Sequence, residues 1–437
     1  MDTSRVRLFE REVRPLRAAV FVATFVVVLA MLPSGRSAAA TGDWFVDPAG
    51  SDANDCVTAT TPCASISAAV AKAASGDRVL VAAATYREQV VVDRDLTIVG
   101  GWVDGFTAKR GRSVLDGKVR KGVREDGFVV AEPILVDPFH RVTIRRFNIW
   151  RADTGIVNHG FLKVENSIVR GANEGVFSWL PIELRRVTVR GSASHGVIAN
   201  TSLIVKSQII ANGLTGLVLE GGSHRINDST ISRNRQGIST GAGGGDMWIT
   251  RSTISDNVGS GGLHIFTGFT RITNSTITGN VYDGSFQSVA GLSVEASRVR
   301  IRNTTIVDNV DGEGGPGGVM IRNSGKLIMM NSIVSGNGNG GDCSIVEGKI
   351  VSKGHNVVGD GCGAGDTDIV TADPMLGPLA ANGGYTDTHL PLAGSVVIAA
   401  GSPAEAGSSF AACPKHDQRL LPRPQGGGCD AGSIEVP

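Results

Sequence analysis

The chain has 437 residues, with 42 Lys and Arg against 41 Asp and Glu, a formal net charge of +1. A total so balanced offers no overall field to draw nucleic acid or an anionic surface. Fifty-nine glycines and an aromatic content of 5% argue for many tight turns and exclude a helical bundle.

In chain order, the N-terminus reads as an export signal over residues 1–40. Five arginines between Arg5 and Arg17 precede an apolar run from Ala18 to Leu32, followed by Pro33 and the small residues Ala38, Ala39 and Ala40. Cleavage is expected after Ala40. The 15-residue apolar run is short of the roughly 20 residues that span a bilayer, so no strong membrane association is expected after cleavage. The long basic region with Glu10 and Glu12 keeps an uncleaved N-terminal anchor as the alternative. Residues 41–76 read as an N-terminal cap: a strand at Trp44–Val46, then a helix opened by Thr61-Pro62 and closed by Gly76. Ile66, Val70 and Ala73 give that helix one apolar face, suited to covering the open end of a strand stack. Strands are then expected at Val79/Val81, Val90/Val92, Leu96/Ile98, Val129/Val130 and Leu135/Val136.

A repeat follows. Ile149, Val169, Val189, Ile209, Ile231, Ile254, Ile277, Ile306 and Val334 recur at spacings of 20, 20, 20, 22, 23, 23, 29 and 28 residues. Five residues before each anchor stands another apolar residue, from Ile144 to Met329, and a third apolar column follows a glycine, from Gly155-Ile156 to Gly318-Val319. Three residues after the anchor runs a ladder of Asn212, Asn234, Asn257, Asn280, Asn309 and Asn337; two residues before it runs a Ser/Thr column. Stacked amides bond along a column and suit corners. One supersecondary unit per period, with three short apolar segments and no 3.6-residue periodicity, predicts a right-handed parallel β-helix over residues 77–362. Residues 363–437 read as a loop-rich appendage. The six cysteines group locally as Cys56 with Cys63, Cys343 with Cys362 and Cys413 with Cys429, and suit an oxidising compartment.

Pro62-Cys63, Gly76-Asp77, Tyr86-Arg87-Glu88 and Gly100-Gly101-Trp102 carry a pattern that resembles the N-terminal part of secreted pectin-lyase-like β-helix proteins. The tail resembles the bacterial choice-of-anchor Q domain through Gly354-His355-Asn356, Asp373-Pro374, Asp417-Gln418-Arg419, Pro422-Arg423-Pro424 and Cys429-Asp430. Ala399 departs from that pattern where aspartate is usual, and Leu420 where glycine is usual. The resemblance implies export; with the motif ending near Pro437, release is expected over anchoring.

The fold serves lyases, hydrolases, epimerases and adhesins alike, so function must come from a site. No Asp-Asp dipeptide of the polygalacturonase kind occurs. Ser194-His195-Gly196 and Asp137-Pro138-Phe139-His140 match catalytic motifs only in part. Loops lengthen at Val281–Ala290 and Val310–Gly317, and insertions on one face of a solenoid often build its binding surface. They bring Tyr282, Asp283, Gln287, Asp311 and Glu313 as candidate substrate-binding residues. Asp256 and Asp308, two coils and so about 9–10 Å apart, form the candidate catalytic pair. They equally suit polar turn positions beside the ladder. Calcium needs six or more oxygens, and the spacing of Asp283, Asp311 and Glu313 does not show them converging, so no cofactor is expected, with calcium the unsupported alternative. An outward row of Thr230, Thr253, Thr276 and Thr305 resembles ice-binding arrays, though threonine suits any exposed strand. The expectation is an exported monomer that contacts polysaccharide or cell-surface glycans, and not nucleic acid, without established catalysis. A divergent polysaccharide lyase or glycoside hydrolase beside residues 281–317 is the alternative, and a structural or adhesion module the third class.

Overall fold

The computed structural model describes residues 41–118, 128–130, 140–241, 243–284, 290–338 and 340–437. The expected signal segment 1–40, the strand expected at Leu135/Val136, Asp137–Phe139 and Gln287 lie outside the described residues. Within them the chain winds as a parallel β-helix of three long sheets. Sheet A runs from Asp43–Val46 to Gly348–Ser352 and holds the column five residues before each anchor. Sheet B, from Thr85–Tyr86 to Ile369–Val370, holds the anchors; sheet C, from Val90–Val92 to Cys343–Ile345, holds the post-glycine column. Successive anchors pair directly, Ile149 with Val169, Val189 and Ile209 in turn. All nine are fully buried, and each such side chain contributes about 1.5–3 kcal/mol. Sheet B gains two further rungs, Val357–Val358 and Ile369–Val370, so strand pairing continues past Gly363.

Two columns of left-handed residues turn the corners. One lies three residues before the anchor (Arg146, Asn166, Arg186, Lys206 and onward to Asn331), the other two residues after it (Arg151, Ala211, Arg233, Asp256, Asp308, with glycine in the remaining coils). The ladder asparagines are not themselves left-handed. Each follows the bend, and its Nδ2 donates to the Oδ1 of the next: Asn212 to Asn234 at 2.9 Å, and so on to Asn337, which donates to Asp342 at 2.8 Å. The glycine column also has a different cause from the strain expected of it. These glycines have ordinary φ, but a Cβ on Gly175 would lie 2.2 Å from the Gly196 carbonyl oxygen, and one on Gly237 2.4 Å from that of Gly262. Close coil-to-coil approach excludes a side chain.

The helix is shorter than expected. It spans Ile66–Lys72 with Ser65, not Thr61, as N-cap accepting from the Ala68 N–H. Cys63 is held extended beside Phe45 and Val46, which prevents an earlier start. The Glu88 carboxylate accepts the Ile66 and Ser67 N–H groups, and Ile66, Ala69 and Val70 are buried on the first coil. The cysteines pair as 56–63, 343–362 and 413–429. No helix among the described residues is long and apolar enough to cross a membrane.

The tail corrects one expectation outright. It lies along the outer face of sheet B, and the threonine row is its docking strip, not a free surface. Gln418 reaches Thr253 at 3.0 Å and accepts from Thr276 at 2.8 Å; Thr278 bonds His389 at 2.9 Å, and the Ser433 N–H donates to Thr305 at 3.0 Å. Thr253, Thr276 and Thr305 are consequently buried. Within the tail, Arg423 and Glu435 form a fully buried pair at 2.8 Å. Ala399 and Leu420, the two departures from the tail pattern, both adopt left-handed φ, 57° and 72°. A glycine would take the Leu420 conformation without its steric cost.

Candidate ligand-binding face

The long loops form a rim. Val258–Gly259, Val281–Tyr282 and Val310–Asp311 stack as a short parallel sheet between sheets B and C. Tyr282 and Asp311 are register partners and buried, whereas Asp283 and Glu313 are exposed. Asp311 turns its Oδ1 to the Glu313 N–H at 2.9 Å. Asp256 and Asp308 are exposed residues of the second left-handed column, with Gly279 in the coil between them. An open depression brings Asp256 together with Asp283, Arg233 and Arg235; Asp308 does not line it. Among the described residues no three His, Cys, Asp or Glu side chains gather as a metal site.

A second cluster faces outward on sheet C. His264 Nε2 lies 3.1 Å from Glu295 Oε2, which also receives Arg322 at 3.1 Å and, through Oε1, Asn323. The His264 ring stacks on Phe266 at 3.9 Å between centroids. Burial depresses the imidazole below its ordinary value against the pull of Glu295, so it is neutral near pH 7. His195 has no carboxylate within ion-pair reach among the described residues, and burial likewise lowers it.

The outer face of sheet A is different in kind. Along each strand alternate residues point out, so the outward positions form three columns down the face. The first reads Asp246, Phe269, Arg298, Lys326 and Lys349 over five coils, in direct register from Phe269 onward. The second reads Arg225, Trp248, Arg271 and Arg300. The third contributes Arg302, and Lys353 follows the last strand. Among the described residues no carboxylate lies within ion-pair distance of Arg271, Arg298, Arg300, Arg302, Lys326, Lys349 or Lys353 (the ion pairs lie elsewhere). The buried Nε atoms of Arg300 and Arg302 have no hydrogen-bond acceptor.

Aromatic rings are interleaved. Arg225 lies 5.4 Å from the Trp248 centroid, Arg271 and Arg300 lie 5.0 and 5.2 Å from Phe269, and Arg300 and Arg302 lie 5.4 and 5.8 Å from Phe410 of the tail. Burial together with Arg298 and Arg271 presses the Arg300 guanidinium below its usual value; burial and Arg423 do the same to Arg302. Lys326 is lowered by burial and by Lys349, Arg298, Lys353 and Arg300. The earlier expectation of no anion-attracting field is therefore corrected for this face. The whole-chain sum cancels, but the charges are segregated in space, and a local field follows local placement.

The same sheet carries a depression of about 520 Å³ in its earlier coils, lined by Phe161, Leu162, Lys163, Pro181, Glu183 and Arg225 among others. There several of the charges are paired: Arg145 with Glu165 at 2.6 Å, and Lys163 with Glu165 at 2.9 Å and Glu183 at 3.8 Å.

Residues 195–357 match the family described as right handed beta helix region. No curated protein matches the chain. Among solved structures the chain is similar to a pectate lyase, Pel9A, at 16% identity and TM-score 0.53, over 91% of this chain and 97% of that one. It is also similar to XylC solved in complex with xylose, at 10% identity and TM-score 0.53, over 78% of this chain and 88% of that one. At these identities the likeness is one of fold: a right-handed parallel β-helix of the pectin-lyase kind.

Proposed function

We propose that this is an exported β-helix protein that binds polysaccharide on the outer face of sheet A without turning it over. The observation that carries this reading is the open strip of aromatic rings and unpaired guanidinium and ammonium groups on that face. Such a strip offers many donors to a long, hydroxyl-rich chain, with the rings holding the guanidinium groups in place. Arg271, Arg298 and Lys349 on it are exposed, which suits holding a polymer better than enclosing a scissile bond. Three disulfides support a compartment outside the reducing cytosol, and the bacterial choice-of-anchor Q resemblance of the tail supports the same location.

The test is a panel of neutral and acidic polysaccharides, assayed for binding and for turnover. Saturable binding with neither unsaturated products nor new reducing ends is the expected result. Turnover lost on Asp256→Ala or Asp308→Ala would replace binding by catalysis at the rim. The part-buried His264–Glu295–Arg322 cluster favours a second reading, catalysis on sheet C; turnover abolished by His264→Ala would establish it. Neither binding nor turnover would leave a structural or adhesion module.

A further inference from the structure

We infer that the ligand of sheet A is a polyanionic polysaccharide, bearing carboxylate or sulfate groups, that lies along the helix axis over the Arg298–Lys326–Lys349 ladder. This rests on the reading that the face binds polysaccharide and adds the charge and direction of the chain. The first argument is register. Arg298, Lys326 and Lys349 are direct cross-strand partners, about 4.8 Å apart per coil. Like charges placed opposite one another destabilise a sheet. An anionic chain over the column converts that repulsion into attraction.

The second argument is direction. Cations succeed one another from coil to coil, and Arg271 and Arg300 form a parallel file one residue pair away. From Arg271 to Lys349 the face spans three coil steps, about 14 Å, and from Arg225 five steps, about 24 Å. A small anion meets only part of this array; a polymer along the axis meets it throughout. Arg300 and Arg302 add buried Nε–H donors that have no acceptor within the described protein.

The third argument separates polysaccharide from nucleic acid. A single-stranded nucleic acid stacks its bases on bare aromatic faces. Here Trp248, Phe269 and Phe410 already lie against guanidinium groups, so they serve as walls that orient the cations. Phe410 comes from the tail, so the docked tail forms one margin of the site.

The experiment uses the mature full-length chain with polygalacturonate, dextran sulfate, neutral dextran and a single-stranded oligonucleotide. At least one acidic polymer is expected to bind, with affinity falling about tenfold or more between about 50 and 200 mM salt. Arg298→Glu/Lys326→Glu/Lys349→Glu should reduce that affinity about 100-fold or more. The same charge change at exposed Lys109, Arg110 and Arg112 should leave it within about twofold, and circular dichroism reads the fold of both triple variants. Binding to polygalacturonate that disappears on acidification identifies carboxylate as the recognised group; dextran sulfate binding that persists identifies sulfate. Salt-insensitive binding of neutral dextran, indifferent to the ladder variant, would overturn the polyanion inference and leave the polysaccharide reading standing. No binding to any polymer would overturn both. Oligonucleotide binding tighter than either acidic polysaccharide would overturn the inference in favour of nucleic acid.

Discussion

Two stretches of sheet A share a backbone and differ in almost everything they show to solvent. In both, the inward columns are buried and mostly apolar, from Val142 and Ile144 to Leu327 and Met329, with Ser202 in the first stretch and Thr270 in the second as polar members. In the coils of residues 141–205 outward charges interlock within and across strands, with Glu165 and Glu183 serving Arg145, Lys163 and Arg185. On the sheet A strands of residues 269–353 no carboxylate among the described residues lies within ion-pair distance of the outward cations Arg271, Arg298, Arg300, Arg302, Lys326 and Lys349. The tail also docks on sheet B beside these later coils and lends them Phe410. Because alternate residues of a strand face opposite sides, the core fixes coil geometry while the outer columns vary freely. The first stretch uses that freedom for mutual neutralisation; the second leaves its charge available.

The largest effect tests the tail's part in this difference. Gln418 is 2% exposed and hydrogen-bonds Thr253, Thr276 and Thr386 at once. Gln418→Ala leaves three buried hydroxyls short of partners and should cost about 2–4 kcal/mol in denaturant unfolding. It should also weaken acidic-polymer binding by loosening Phe410. Unchanged stability would show that the tail is not part of the cooperative fold.

A smaller effect follows from acid. Burial works to raise the Glu165 carboxyl, but Lys163 and Arg145 outweigh it and hold the group below the ordinary range. A carboxylate whose folded pKa is depressed stabilises above its unfolded value, about 4.3, and loses that contribution as pH falls through the folded pKa. The cations at Phe269–Lys353 do not titrate in acid. Asp342, at the ladder's end in the later coils, is raised by burial despite its Asn337 bonds, so its contribution is present in acid and is lost as pH rises. Glu295 on sheet C is likewise held below its ordinary range, with His264 and Arg322 outweighing burial, so the contrast belongs to sheet A alone. Between pH 7 and 3, amide-exchange protection at Phe161–Glu165 and Ile182–Arg185 should drop by about 1 kcal/mol more than at Phe269–Thr273 and Gly348–Ser352. Equal losses in both stretches would contradict the asymmetry.

Removing the carboxylates at neutral pH makes the first stretch imitate the second. Glu165→Gln with Glu183→Gln frees Arg145, Lys163 and Arg185. Stability should fall by about 0.5–1 kcal/mol, while affinity for the acidic polymer rises a few-fold and its salt dependence steepens. An unchanged salt slope would mean that the polymer does not reach these coils.

The sequence carries the architecture openly because every coil repeats three apolar columns, and side-chain alternation makes those columns one core. It carries the cationic face of sheet A less openly. Arg271 and Arg300 are 29 residues apart in sequence, and Arg298 and Lys326 are 28, so no local run of charge appears and the total cancels. The outward positions six and eight residues before each anchor carry the ladder at the same period as the inward columns. The path of the tail has no such signal. Its contacts, such as Thr276 with Gln418 across 142 residues, join a periodic strand to an aperiodic loop. Thr253 and Thr276 thus read as exposed when they are covered. The left-handed bends at Asp256 and Asp308 were equally hidden, since arginine, alanine and glycine occupy the same corner in other coils.

The smallest expected change in stability separates a functional surface from an incidental one. Arg300 stands beside Arg271 in the middle column, flanked along its own strand by Arg298 and Arg302. Arg300→Glu would give this stretch the alternation that Glu165 and Glu183 give the other, and would remove an unsatisfied buried Nε–H. Opposite charges across strands contribute roughly 0.2–1 kcal/mol, so the variant should be slightly more stable than the parent. It should also bind the acidic polymer less tightly. A stability gain coupled to a binding loss means that the repulsion exists for the ligand's sake; a gain with binding intact would mean that the anionic chain lies elsewhere.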